Sequence, residues 1–451
     1  MTANYSMQLS TEIKDMMRSD ISGLLKEYYP MNVLENSFNN PKKRNRVYND
    51  ETTLLTMIIT SVQEDKSLQN SVNIYSEIHK DNIGKINTRL EELRKQEQTE
   101  DIKKPKKAGR PKEYKSKVAK SKLHEVSSNT SAYTQARQRL DMDWVKSVYE
   151  ESSNFDSINI NNKWKGMEVY ITDGTYIQMQ DTRELKEIYE IKSNSKEYKP
   201  GYPQGLLQLL IEQGSGAIKH FELGNRHVSE LELISKLLPK LKKGSLLLAD
   251  DLYNSYAIFS LVQLYGLELI VPGKRIRNYK VIKEIAPGDE IVEVKMTKHP
   301  SWLPKGVKLP AKIVLRRLTY EDPLRPGEEY VLYTTITEES ICKTDIVIKH
   351  HSRWDIEISI REIKTLMDIN VVRSKSPKNV MKEILTTFIA YNLIRKILAN
   401  TTENSGFSPK ASIIQKCFEA GKTVLMDKKG RIYNRWSPGR YAGFAGKNFK
   451  A

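Results

Sequence analysis

The chain has 451 residues, 39% hydrophobic and 29% charged, enough to bury a sizeable core and to form two or three domains. Its 73 Lys+Arg against 56 Asp+Glu give a formal charge of +17, which points to a polyanionic partner, nucleic acid ahead of a membrane surface. Short apolar runs, an N-terminus without a signal-peptide pattern and only two cysteines, Cys342 and Cys417, argue against membrane, secreted and zinc-built proteins and predict a cytoplasmic one.

Residues 1–100 are expected to form a helical domain. "STEIKDMMRSDISGLLKEYY" has apolar residues at helical spacing behind Ser10 or Thr11, and "DETTLLTMIITSVQED" is a further helix with its capping start at Asp50. The basic loop "PKKRNR" leaves this domain two roles, packing and DNA binding. Residues 101–125 read as a linker. Within it, 103–122 holds ten Lys/Arg and one acid, Glu113, a net +9 with too little apolar surface to fold. The centre, Gly109-Arg110-Pro111-Lys112, resembles an AT-hook core. Arg110 is therefore a candidate for minor-groove entry, beside the plainer role of a phosphate-binding tether.

Residues 126–273 change to an α/β pattern. "GMEVYITDG" alternates like a strand ending in Asp173-Gly174, and "GLLQLLIEQGSGAIKHFEL" reads as two strands around Gly214-Ser215-Gly216. The amphipathic helix "HVSELELISKLLPKL", the buried strand "SLLLAD", the helix "NSYAIFSLVQLYG" and the strand "LELIVPG" follow. That order is the order of a ribonuclease-H-like fold. Residues 274–340 interrupt it with period-two segments between Pro and Gly turns, an all-β insertion. Residues 341–400 resume the helices, with "KEILTTFIAYNLIRKILA" long and buried, and 401–451 form a basic C-terminal region.

Three carboxylates stand out. Asp173 and Asp250 (with Asp251 in reserve) close predicted strands, and Glu357 lies on a helix beyond the insertion. Each has an ordinary explanation: a turn, a helix cap and an i,i+4 partner of Arg353 and Arg361. Together, on two strand ends and one helix, they could hold two Mg²⁺ ions about 4 Å apart. At roughly 100° per residue, Arg353, Glu357, Arg361 and Lys364 share one sector of their helix, beside an apolar stripe of Ile356, Ile360, Ile363 and Met367.

With these residues in view, the chain resembles bacterial DDE transposases of the insertion-sequence-four family, whose signature is Tyr-x2-Arg-x3-Glu-x6-Lys. Arg353, Glu357 and Lys364 have that spacing, and His350 stands at the tyrosine position. "AYTQARQRL", "TDGTYIQMQDT" and "LLLADDLYNSY" resemble further family segments in order, although the family's Asp-Arg-x-Tyr is here Asp250-Asp251-Leu252-Tyr253. The resemblance implies that Asp173, Asp250 and Glu357 bind Mg²⁺ (or Mn²⁺), and that Arg353 and Lys364 hold DNA, with His350 able to donate to a phosphate; Arg361, on the same sector of the helix, is a further DNA-binding candidate. It also implies cut-and-paste transposition through a hairpin, by a homodimer pairing two double-stranded element ends in the nucleoid-associated cytoplasm of a bacterium. Lys274, Arg275 and Arg277 would line the DNA path or, equally, form a solvated basic loop. Trp302 would be a stacking platform for an unpaired base or, more simply, a packing residue. A DNA-binding protein without catalysis and a structure-specific nuclease are the rival readings.

Overall fold

The structure, a computed structural model, describes residues 47–63, 65–77, 80, 95, 128–156, 163–189, 201–273, 278–303, 306–321, 327–354, 363–364 and 367–403. Helices are α1 (Asp50–Val62), α2 (Ser131–Arg139), α3 (Met142–Ser152), α4 (Arg183–Tyr189), α5 (Glu230–Leu237), α6 (Tyr256–Leu264), α7 (Lys343–His351) and α8 (Pro377–Glu403). Strands are β1 (Lys163–Trp164), β2 (Met167–Gln178), β3 (Gln204–Glu212), β4 (Ile218–Asn225), β5 (Leu246–Leu248), β6 (Glu268–Pro272), β7 (Lys280–Ala286), β8 (Asp289–Lys295), β9 (Lys312–Glu321) and β10 (Glu329–Thr334).

One mixed sheet organises these elements, in the order β4-β3-β2-β5-β6-β10-β9-β8-β7, with β1 paired to β2. The antiparallel meander β2-β3-β4 is joined to two short parallel strands, β5 and β6. A parallel strand needs a crossover, and α5 and α6 supply the two that reach β5 and β6. Both faces of β5 are covered, so its three residues are all leucine and all buried. The turn between β3 and β4 requires Gly216: its φ is +72°, and a Cβ there would meet the Arg395 guanidinium at 2.6 Å.

Period-two alternation sends the sheet's side chains into two cores. Val169, Ile171, Ile177, Leu246 and Leu248 pack on one face with α1, α3 and α8. Tyr170, Leu247 and Leu269 pack on the other with α5 and α6. Helix α1 thus shares its core with the sheet. Its cap is Asn49 rather than the expected Asp50, because Asn49 has the extended backbone and its side chain accepts from the Thr52 amide. Buried Lys66 fastens the following segment by donating to the carbonyls of Met367 and Asp368.

Strands β7–β10 extend the sheet, β10 running antiparallel to β6. The outermost, β7, is largely exposed and its pairing with β8 is broken by two register shifts, which blunts an open edge against further pairing. No helix among the described residues is long and apolar enough to cross a membrane.

Candidate active site

Asp173 does not close its strand. The Asp-Gly pair reads in sequence as the end of β2, but the strand runs on to Gln178, because β3 pairs with it along its whole outer half, from Asp173↔Leu209 to Gln178↔Gln204. The neighbour on the other side stops sooner. The parallel β2–β5 ladder ends at Ile171↔Leu248, so β2 projects beyond the carboxyl end of β5. Such crevices beyond parallel strand ends are where open α/β sheets receive ligands.

Extending the β2–β5 register by two residues sets Asp250 beside Asp173. Both have the parity of Ile171 and Leu248, so both belong to the face of the α1, α3 and α8 core. Asp250 also caps the single turn Asp251–Tyr253, accepting from the Leu252 amide at 2.8 Å through Oδ1. The capping role expected for these acids is thus filled by Asp250, on a 3-10 turn; α6 has its own cap, Ser255.

The electrostatics match this geometry. Burial pushes the Asp173 carboxyl up to about 6; the Gly174 amide opposes the rise, Glu230 and Asp250 add to it, and Arg353 lowers it. Two acids and a third, Glu230, therefore crowd one place with Arg353 close by. Asp173 and Asp250 are hard oxygen donors of the kind a divalent cation takes, and Glu230 acts on them from the other side of the strand. Among the described residues no three His, Cys, Asp or Glu side chains form a metal site by themselves.

Glu357 and Arg361 lie outside the described residues, as do Lys274, Arg275, Arg277 and Arg110. Two members of the expected apolar stripe are described: Ile363 and Met367 are buried in the core on the face of Asp173 and Asp250. Lys364 is half-buried. His350 lies in the last turn of α7, its ring edge-on to His351, and burial, then Arg353 and His351, push its imidazole down to about 3. Neither ring nitrogen has a hydrogen-bond partner among the described residues. Trp302 is half-buried against the second core, as a packing residue would be.

Behind the sheet stands a group that sequence reading missed. Glu230, the first residue of α5, accepts from the Tyr253 hydroxyl at 2.9 Å. Gln208 donates to Tyr253 Oη and to Thr172 Oγ1, each at 2.7 Å. In sequence Glu230 is an ordinary first-turn acid behind the Ser229 cap. The available signal was Gly174: a glycine inside a strand marks a close approach. A Cβ at Gly174 would meet Glu230 Cδ at 2.5 Å.

The family model described as "Transposase DDE domain" matches residues 164–393, a span that holds both aspartates and the whole sheet apart from the start of β1. The chain is 26% identical over 318 residues to the transposase InsG for insertion sequence element IS4 of Escherichia coli (strain K12), covering 69% of each protein. Among solved structures it is similar to a piggyBac transposase in a synaptic complex with hairpin DNA. That similarity has a TM-score of 0.30 at 12% identity and covers 56% of this chain and 54% of that one.

Proposed function

The chain belongs to the transposase DDE-domain family, and from that premise we propose that it binds the terminal inverted repeats of its own insertion sequence and moves the element by cut-and-paste cleavage and strand transfer. The observation that carries this reading is that Asp173 and Asp250 each lie two residues past the last β2–β5 pair, at the carboxyl end of β5, where Asp250 and Arg353 both act on the Asp173 carboxyl. The meander β2-β3-β4 followed by parallel β5 and β6 supports a ribonuclease-H-like core around that pair.

In this reading Asp173, Asp250 and Glu357 hold two Mg²⁺ ions, for which Mn²⁺ can substitute. When bound, the ions supply activation of a water or 3′-hydroxyl and stabilisation of the leaving oxygen. The protein's own part is positioning. Arg353 and Lys364 fix the phosphates flanking the scissile bond, with His350 and Arg361 alongside, while the β3 ladder on one side of β2 and the cap that Asp250 forms on its own turn hold the two aspartates in place. His350 is neutral at physiological pH by its lowered pKa, so it offers one N–H donor rather than a charge. A homodimer pairs two double-stranded ends, and the charge of +17 draws DNA to it.

The test uses a labelled fragment carrying an element end, with Mg²⁺. Joined products support transposition, cleavage without joining points to a nuclease, and binding alone to a protein without catalysis. Asp173→Asn, Asp250→Asn and Glu357→Gln should each lower cleavage by more than the roughly 100-fold typical of removing a group that merely supports a metal ligand, with end binding retained. Wild-type cleavage by all three would overturn the assignment.

A further inference from the structure

Glu230 and Asp173 address one strand from opposite sides. Asp173 has the parity of the α1, α3 and α8 face, whereas Gly174 has that of the α5 and α6 face, where Glu230 presses on it. Gly174 joins the two: its amide donates to Asp173 Oδ1 at 2.8 Å, and Glu230 Cδ lies 2.5 Å from where its Cβ would be. Glu230 is itself held. Its Oε2 accepts from Tyr253, which is fully buried and lies three residues after Asp250 on the capped turn. Gln208 then ties the Tyr253 hydroxyl to Thr172, the residue preceding Asp173. This network therefore begins and ends beside the two aspartates.

We propose that Glu230 and Tyr253 form a positioning pair that sets Asp173 and Asp250 from behind the sheet, rather than contributing ligands of their own. The pair rests on the reading of Asp173 and Asp250 as metal-binding acids and adds what holds them. β2 lacks a β5 partner beyond Ile171, so the backbone at Asp173-Gly174 is supported on that side by side chains instead of a ladder. Glu230 fills the space that a Cβ at Gly174 would occupy, and Tyr253 keeps Glu230 there. Gly174 has no positive φ, so alanine is conformationally tolerated and acts by displacing Glu230.

The experiment measures Mn²⁺ binding to the full chain by electron paramagnetic resonance, with cleavage, end binding and thermal melting in parallel. Glu230→Ala, Tyr253→Phe and Gly174→Ala should each weaken Mn²⁺ binding and slow cleavage by about 10–100-fold, with end binding retained and melting lowered by no more than about 4 °C. Glu230→Gln, which retains an acceptor for Tyr253, should recover most of the loss. Because the two act as one unit, Glu230→Ala with Tyr253→Phe should be no worse than either alone. Wild-type Mn²⁺ affinity in the single variants, a double variant whose losses multiply, or losses that track melting temperature would overturn the proposal. Tyr253→Phe keeps the ring in its buried seat and tests the pair even if Glu230→Ala fails to fold. Asp173→Asn separates the two readings: if it keeps Mn²⁺ binding and cleavage, the site assignment itself fails, whatever the Glu230 variants do.

Discussion

Arg316 is a charge buried to 1% exposure, and its surroundings explain how. Its guanidinium forks onto Asp289 at 2.7 and 2.6 Å and donates its remaining arm to the carbonyls of Glu338 and Ile341, each at 2.9 Å. One residue thereby fastens β8 and β9 to the segment entering α7. Arg316→Met should cost about 3–5 kcal/mol in chemical denaturation, because Asp289 is left buried and unpaired, and adding Asp289→Leu should return much of it. His220 behaves differently. Burial, then Lys240 and Lys219, push its imidazole down to about 4, so the unfolded chain takes up a proton at a higher pH than the folded one. Its contribution is complete above about pH 6.5 and is lost as pH falls towards 4, by at most about 3 kcal/mol. His220→Gln should flatten the melting temperature across that window; an unchanged slope would refute the role.

Helix α8 shows what an element contributes beyond its own turns. Phe388 meets Phe221 of β4 edge-on at 5.0 Å between ring centroids and Tyr149 of α3 at 6.2 Å. One ring therefore locks two helices to the sheet, and Phe388→Ala should cost about 3–5 kcal/mol, measured by the denaturation midpoint at constant slope. The same helix sends Lys382 to the last carbonyls of α2, Arg137 and Gln138, and Lys396 to the Glu151 carbonyl near the end of α3. A cation at each C-terminus answers the exposed carbonyls and the helix dipole there. Periodicity revealed that α8 is long and buried. Nothing in it distinguished these lysines from solvated ones, since their acceptors come more than 200 positions earlier in the chain.

For the whole molecule, the excess charge is concentrated. Residues 103–122 hold ten Lys/Arg against one acid, and they lie outside the described residues together with the basic C-terminal region. DNA affinity should fall steeply with salt, and replacing those ten residues by Gln should weaken binding to any duplex. Every phosphate that is no longer neutralised should shallow the plot of log affinity against log salt by about 0.9. An unchanged slope in fluorescence anisotropy would exclude the stretch as a tether.

Local pattern sufficed for the strands and helices flanking the site, and for Asp250 as an acid just past a buried strand. A two-residue period and a buried apolar run are properties of neighbours in sequence, so they can be read there. The continuation of β2 past Asp173 was not legible, because it is β3, not the Asp-Gly pair, that decides where the strand ends. Nor was the Glu230–Tyr253–Gln208–Thr172 network, whose members are ordinary residues until the crossovers carrying α5 and the Tyr253 turn bring them behind one strand. The sequence by itself determined the composition, the charge, the order of the principal strands and helices from β2 to β6, and the family. Only the tertiary structure decided which acids act on Asp173, because that depends on strand register and on where a neighbouring strand stops.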